Sequence, residues 1–545
     1  MDPRQREFTL KDIPEFNDRV CRGLAYAESK DIPKFIERLI TICSEFFPPG
    51  LSFDRAVRAN PIEHFEKVTR EYNYRRQADI SRSDYYMMKY YFDYEGDQLG
   101  PYCMLIPYVS EGGLFTFRDT TYAVSTVMTD IGFSIYPGKI FIPFARTKYN
   151  FHKDHHFMLV NHVRKMGDIY YAPIHHEMKG AKKTSKLPSG RPFIFTTLAH
   201  YLFARYGFIS AVKMFAGVDV IVKRYEESDK VNYPKPDYVA FTSARFAETN
   251  HPSAGVTIYV KLDDYIKDED YINTLCASFY YVFDVFTDEF DDLNDVDVPS
   301  FWQQLLGNII KGDDKSRGAI LIDMENHMAS TDRQLDDMTR DALKERDVVV
   351  NDIYELFHEL MTSLKKAYVQ TGSEEASVYN KRFTVLPFFL EEINTACTNL
   401  AQKLQSEQTH GKQFTKKDIN DLLSATFKLN ICVNDINRHG EVNPASTPND
   451  NMIHQITSNV IDRENAGGVK ANQKKGRVSM ISDPKRKLHS SIAEVFQFTN
   501  LPKGAGADGR GRINPTVQLS VSGRVKRKEH LRALTDEAQR FISDE

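Results

Sequence analysis

Residues 102–128 read Tyr102-Cys-Met-Leu-Ile-Pro-Tyr108-Val-Ser-Glu-Gly-Gly-Leu114-Phe-Thr-Phe117-Arg-Asp-Thr-Thr-Tyr122-Ala-Val-Ser-Thr-Val-Met128. Short apolar and β-branched runs alternate with polar turns, Glu111-Gly112-Gly113 being the first, and this is how antiparallel strands joined by tight connections are written. The pattern continues at 131–136, 139–144 and 156–160, with Pro137-Gly138 as a further turn, so an antiparallel meander is expected over 99–171.

The flanks of this stretch read differently. Toward the N-terminus, Asp31-Ile-Pro33 can start a helix in which Ile36, Leu39, Ile40, Cys43 and Phe47 recur at three and four residues, until Pro48-Pro49-Gly50 stops it. The aromatic stretch Tyr85-Tyr-Met-Met-Lys-Tyr-Tyr-Phe92 could stack on bases, but such stripes are more often core. Toward the C-terminus come a basic loop at 181–190, an apolar helix at 192–208 with Gly207 near its end, and a mixed α/β stretch. Val349, Ile353, Leu356, Phe357, Leu360, Met361, Leu364 and Tyr368 then form one helical apolar face, and Phe389, Ile393, Ala396, Cys397, Leu400 and Leu404 form another. Thr415-x-x-Asp418 predicts a capping box. The segments 440–451 and 504–514 are loops, with a short helix-like stretch at 492–498 between them. The expected architecture is α+β and multi-domain: a helical region over 1–98, a β-rich region over 99–175 and a mixed α/β lobe over 176–335. A helical return over 336–440 and a basic, loop-rich segment over 441–545 complete it.

The length of 545 residues, with 41% hydrophobic and 12% aromatic residues, is enough for three or four domains and excludes a wholly disordered chain. Apolar runs such as 280–283 and 388–390 are far too short to span a membrane, and the polar start Met1-Asp2-Pro3-Arg4-Gln5-Arg6 leads into no secretory apolar region. Six cysteines without any C-x-x-C read as buried thiols of a reducing compartment. The formal charge of −4 is a cancellation. Residues 226–300 hold 5 Lys and Arg against 17 Asp and Glu, a net of −12, whereas residues 461–532 hold 16 against 6, a net of +10. A basic block of that size is the footprint of a polyanion partner or a solvated tail. The acidic run from Asp284 to Asp297 has no Gly for a calcium loop and reads as a solvated loop, or else as a surface that repels nucleic acid or docks a basic partner.

Other chemistry finds little support. His152-x-x-His155-His156 with His175-His176-Glu177 could supply zinc ligands, but helical zinc motifs place His at i and i+4, and neighbours on a strand point to opposite sides. No G-x-S-x-G and no Walker A loop occurs. Gly504-Ala-Gly506-Ala-Asp-Gly509 spells a dinucleotide fingerprint without the strand before it or the helix after it. What remains is Lys474, Lys475, Arg477, Lys485, Arg486, Lys487, Lys503, Arg510 and Arg512, spaced among Gly, Ser and Pro so that their backbone can follow a phosphate chain.

Several segments, in order, resemble the N-terminal half of the β (second-largest) subunit of multisubunit DNA-directed RNA polymerases. Met104-Leu-Ile-Pro107, Gly112-Gly-Leu-Phe-Thr-Phe117 and Tyr122-Ala-Val124 are similar to the family's G-G-x-F-x-I-x-G-x-E-K-V strand pair. Pro192-Phe-Ile-Phe-Thr-Thr-Leu-Ala-His-Tyr-Leu-Phe203 with Tyr206-Gly207 looks like the helix I-P-I-x-x-L-x-R-A-L-G. Asn380-Lys381-Arg382-Phe383 resembles the G-N-K-R-L that re-enters the protrusion, and Ser490-Ser-Ile-Ala-Glu-Val495, Asn500-Leu-Pro502 and Asp508-Gly-Arg510 resemble the fork at the bubble edge. The chain departs from the pattern at Arg118-Asp119, where the family has a turn Gly, and in lacking the fork's H-K-R-R run. The catalytic lysines of the β C-terminal half and the D-F-D-G-D of the largest subunit have no counterpart.

The resemblance implies a split β subunit, as in large tailed phages. Such a chain clamps DNA and lines the bubble without catalytic metal ligands, adds Arg382 to the nucleic-acid-binding residues, and binds no cofactor itself. Mg²⁺ is expected on partner subunits, and the expected partners are the β C-terminal part, the β′ chains, double-stranded DNA and the RNA–DNA hybrid, with no membrane. The expected location is the cytoplasm of the infected bacterial host or the virion. The rival readings are a phage head or tail-connector protein with a DNA-contacting basic segment, and a zinc enzyme.

Overall fold

The computed structural model describes residues 20, 22–71, 85–117, 120–123, 126–136, 138–144, 148–172, 196–224, 226, 229–247, 255–311, 316–368, 377–384, 386–409, 411–432, 443–444, 460–463, 491–495, 510–514 and 516–526. The chain forms two compact units. The first comprises Met1–Ile131 and Gly372–Glu545, and the second, Gly132–Thr371, is inserted between them. The architecture is α+β with antiparallel sheets. No described helix is long and apolar enough to cross a membrane.

In the first unit, α1 (Leu24–Ser29) leads into α2 (Ile32–Ser44), where Pro33 sits in the first turn and Ile36, Leu39, Ile40 and Cys43 are buried. Three strands follow, β1 (Leu51–Arg58), β2 (Tyr85–Tyr94) and β3 (Asp97–Pro107), with α3 (Pro61–Glu71) between the first two. The expected helical character of 1–98 therefore holds for 24–44 and 61–71 but not for 51–58 or 85–94. The aromatic stretch obeys period two instead. From Lys89 to Tyr94 the alternation is clear, with Tyr90, Phe92 and Tyr94 buried and Lys89, Tyr91 and Asp93 partly exposed, while Tyr85, Met87 and Met88 are buried before it, and β-sheets favour aromatic residues in both positions. Tyr91 and Tyr86 carry the guanidiniums of Arg55 and Arg58 at 4.7 and 4.6 Å. Glu95-Gly96, both at positive φ, forms the two-residue turn between β2 and β3. Next come β4 (Leu114–Phe117) and β5 (Thr120–Ala123), a hairpin, and then β6 (Thr126–Asp130).

The second unit holds a seven-stranded sheet of β7 (Ser134–Tyr136), β8 (Lys139–Pro143), β9 (Lys148–Val160), β10 (Val163–Tyr171), β11 (Val220–Arg224), β12 (Tyr238–Ser243) and β13 (Val256–Lys261). Its order is β11-β13-β12-β9-β8-β7, with β10 on the other edge of β9. Between β10 and β11 lie α4 (Leu198–Tyr206) and α5 (Phe208–Ala216), and after β13 come α6 (Glu269–Phe283), α7 (Pro299–Lys311), α8 (Arg317–Asp332), α9 (Asp337–Lys344) and α10 (Ile353–Met361). Thr197 caps α4 by accepting the His200 N–H. Gly207, at φ 85, ends α4 on the Phe203 carbonyl, and a Cβ there would collide with Asp297. Asp297 is fully engaged, because both its carboxylate oxygens accept from Ser210. The acidic run is thus partly built into the core rather than a solvated loop: Phe290 and Val296 are buried, and Asp284 holds the Ser243 hydroxyl. Around the single tryptophan, Trp302, pack Phe203, Phe208, Phe279, Phe290 and Phe301, with ring centroids 5.0–6.3 Å away.

Back in the first unit, β14 (Lys381–Thr384) precedes α11 (Leu386–Thr409) and α12 (Lys416–Thr426), and the Thr415/Asp418 capping box is present in both directions. The last elements are β15 (Asn443–Pro444), β16 (Val460–Arg463), α13 (Ile492–Val495) and β17 (Arg510–Arg512).

Two measurements check the second unit. A Cβ on Gly167 would sit 2.5 Å from the Ala277 Cβ and 3.0 Å from the Asn273 carbonyl, because α6 lies directly on β10 there. Gly167→Ala is expected to cost about 1–3 kcal/mol in urea unfolding, the range for overpacking. His200 is fully buried, its Nε2 on the Trp302 carbonyl at 3.0 Å, and burial depresses its pKa to about 4. Between pH ~6.5 and ~4 the unfolded chain binds a proton that the folded chain refuses, so stability falls as pH drops through that window, by on the order of 3 kcal/mol. His200→Gln is expected to remove most of that slope, as read from unfolding midpoints across the window.

Candidate nucleic-acid interface

Three of the residues singled out by sequence, Arg382, Arg510 and Arg512, lie on strands of one small sheet of the first unit. Its order is β14-β6-β16-β17. β14 is antiparallel to β6, with Lys381 opposite Asp130 and Phe383 opposite Met128, while β6 runs parallel to β16 and β16 antiparallel to β17. Successive residues on a strand alternate between the two faces, so the register sorts the sheet into two sides.

One side joins the core. Phe383 and Met128 pack with Val20, Leu24, Val378, Val495, Ile513, Val517 and Leu519. On the same side the Lys381 ammonium meets the Asp130 carboxylate, each side chain only 10% exposed. Burying either charge alone would be costly, and the pair lets both be desolvated together. The segment 491–495 is pinned beside β14, since the Ser491 hydroxyl accepts the Val378 N–H at 3.0 Å, the Tyr379 hydroxyl donates to Glu494, and the Asn514 N–H reaches the Val495 carbonyl at 2.7 Å. The fork-like segment and the Asn380-Lys381-Arg382-Phe383 segment therefore share one core.

The backbone register also relates the arginines. Arg382, opposite Thr129, has the parity of Val127, Asp462 and Val460, and so of Arg510 and Arg512, which pair with Asp462 and Val460. On the outer edge of β14, Arg382 bridges Arg524, and the Phe383 N–H donates to the Gly523 carbonyl at 2.9 Å. The stretch 517–526 folds back on itself, with Leu519 opposite Val525 and the Ser520 N–H bonded to the Arg524 carbonyl at 2.8 Å. In backbone register, Arg510 and Arg512 thus lie on β17 and Arg524 lies opposite Arg382. At the end of β14 Thr384 donates to the buried Glu28 at 2.9 Å.

Of the ten residues expected to contact nucleic acid, Arg382, Arg510 and Arg512 are brought together here. Lys474, Lys475, Arg477, Lys485, Arg486, Lys487 and Lys503 lie outside the described residues, as does the Gly504–Gly509 motif. Arg524, which the sequence reading did not single out, stands opposite Arg382 in backbone register. The apolar alternation Val517, Leu519, Val521 before Ser522-Gly523, with Val525 after it, was the available signal of a hairpin.

The histidine cluster of the second unit resolves into separate pairs. His155 Nδ1 meets Asp168 at 2.9 Å, His156 Nε2 meets Asp284 at 3.0 Å, and His152, its pKa lowered by burial, stacks on Tyr171 at 5.1 Å. His155 and His156 thus turn to different carboxylates, as strand neighbours must. His175, His176 and Glu177 lie outside the described residues, and among the described residues no three His, Cys, Asp or Glu are grouped to hold a metal ion.

A family model described as "Non-virion RNA polymerase subunit" matches residues 5–540. No curated protein matches the chain.

Lys381→Met removes the ammonium that faces the buried Asp130 carboxylate, and is expected to destabilise the first unit by about 3–5 kcal/mol, whereas Lys381→Met combined with Asp130→Leu should recover most of that loss. Protease susceptibility of the first unit across a urea series measures both.

Proposed function

The chain belongs to the non-virion RNA polymerase subunit family, and from that membership we propose that it supplies the N-terminal part of a split β subunit. In this reading it clamps DNA with protrusion-like and lobe-like units and lines the bubble edge with its basic segment, while partner chains hold the catalytic Mg²⁺. The observation that carries the reading is the insertion. The first unit is interrupted after β6 and resumes at Gly372, and the Asn380-Lys381-Arg382-Phe383 segment that follows supplies a strand that pairs with β6 itself. A protrusion interrupted by a lobe and re-entered at this motif has that organisation, and the fork-like segment 491–495 packs against the re-entry point.

Under this proposal Arg382, Arg510 and Arg512, with Lys474, Lys475, Arg477, Lys485, Arg486, Lys487 and Lys503 of the same basic block, contact the backbones of double-stranded DNA and the RNA–DNA hybrid. The partners are the β C-terminal part and the β′ chains, and the place of action is the cytoplasm of the infected bacterial host. The family's description as non-virion speaks against packaging in the virion, and a polymerase family leaves the head or tail-connector reading without support.

Purification of the tagged chain from infected cells is expected to recover it as one copy among different polymerase chains, and the isolated chain is expected not to polymerise nucleotides. A homomeric ring, or polymerisation by the chain alone, would overturn the reading. Replacing Lys485, Arg486 and Lys487 by Gln should flatten the dependence of log affinity on log salt by about 2–3, at ~0.7–0.9 per phosphate contact.

A further inference from the structure

In the second unit, β9 and β10 form a hairpin closed by Asn161-His162, both at positive φ, with Val160 opposite Val163. A turn of this kind is closed by a hydrogen-bonded pair, and along an antiparallel ladder bonded and unbonded pairs alternate. Val163, Lys165 and Gly167 therefore bond to β9, whereas Arg164, Met166 and Asp168 turn their backbone N–H and C=O to the outer edge of β10. That edge has no partner strand among the described residues, apart from a bridge of Tyr171 to Thr197 at its far end, and no described group bonds the N–H or C=O of Met166 or Asp168. Gly167 abuts Ala277 of α6, so the side chains at 164, 166 and 168 lie on the opposite face. There Met166 faces Phe157 in an unbonded pair, where side chains stand close, and the two are 57% and 43% exposed. The Arg164 guanidinium lies over the Phe157 ring at 4.4 Å. An open edge flanked by exposed apolar side chains is a template for a further strand.

We propose that this edge receives one extended, carboxylate-rich segment of another chain of the polymerase, which adds as a strand beside residues 164–168 and lays apolar side chains on Met166 and Phe157. The proposal deepens the subunit reading and rests on it for the identity of that chain. Charge gives the sign of the partner: the hairpin 148–171 holds 4 Lys and Arg against 2 Asp, and the sheet-forming stretch 132–224 holds 15 Lys and Arg against 4 Asp and Glu. Residues 173–195 of this chain, with 5 Lys and Arg against 1 Glu, have the wrong sign to fill the edge themselves. A second copy is blocked by α6. Antiparallel pairing of two β10 strands, as a two-fold dimer would make, puts both α6 helices on one face about 4.8 Å apart, and packed helices need about 8–10 Å. A lone strand brings no helix with it. A nucleic-acid strand would answer the N–H groups with phosphate oxygens but offers no row of donors for the carbonyls that alternate with them.

The test uses the full-length tagged chain produced during infection, with the polymerase chains recovered per tagged chain as the readout. M166P removes an N–H that points to the edge and takes no bond from the ladder to β9, which is where an edge strand tolerates proline. It is expected to lower recovery about 10-fold, the loss that goes with one backbone hydrogen bond. M166S, which strips the apolar contact, should also lower it about 10-fold, and R164E about 3- to 10-fold. Thermal unfolding verifies the fold of each variant, and if M166P does not fold, M166S and R164E carry the test. Phe157→benzoylphenylalanine, activated by light in the infected cell, names the occupant: a cross-link to another polymerase chain is expected. A cross-link to residues 173–195, to a second copy or to nucleic acid overturns the proposal in favour of that occupant. Folded variants that recover the polymerase chains as well as the native chain does sink only the edge site. A native chain that recovers none sinks the subunit reading, and this occupant with it.

Discussion

The first unit depends on β6 and β14 meeting. Its chain leaves after Ile131 and returns at Gly372, so residues 126–130 and 381–384 can form a ladder only if the excursion brings its two ends back together. Closing a floppy loop of that length costs entropy, although the cost grows only as the logarithm of loop length, about 0.6 kcal/mol per doubling. The insertion makes the closure affordable by being a folded unit with its own aromatic core around Trp302. Once β6 and β14 pair, β16 adds to the free edge of β6, β17 follows, and the 517–526 stretch covers the other edge of β14.

That sheet separates two kinds of charge by parity alone. Lys381 and Arg382 are neighbours in sequence, yet one goes to the core, where Asp130 neutralises it, and the other goes to the opposite face beside Arg524. A one-residue slip would bury the arginine and expose Phe383 and Lys381, so the apolar cluster that Phe383 enters also fixes where positive charge is displayed. Stability and the proposed contact surface are two faces of one register.

Much of this was legible beforehand, for identifiable reasons. The strands between residues 102 and 171 and the helices α2, α11 and α12 carry strong two-fold or 3.6-fold periodicity and plain turn or cap signals, and their core positions follow from it. The stretch at 85–94 was harder, because tyrosine and phenylalanine occupy both parities and hide the alternation until burial is known. Arg382, Arg510 and Arg512 could be named from segment order and charge. Their placement on neighbouring strands could not, since it depends on ladders between residues from about 50 to more than 300 positions apart, and Arg524 enters only through the register of a hairpin. The histidine cluster misled for the opposite reason: closeness in sequence on a strand places neighbours back to back.

The parallel pairing of β6 with β16 bears on how the protein is made. The two strands are separated by some 330 residues, and β17 is farther still. At ~5–20 residues synthesised per second, β6 leaves the ribosome roughly 15–70 s before β16 exists. Throughout that interval the edge of β6 that β16 will take is open, and the inserted unit, complete by Thr371, has time to fold first. Synthesis from the N-terminus thus imposes an order of assembly, in which the autonomous insertion matures early and the sheet bearing the arginines is among the last parts to close.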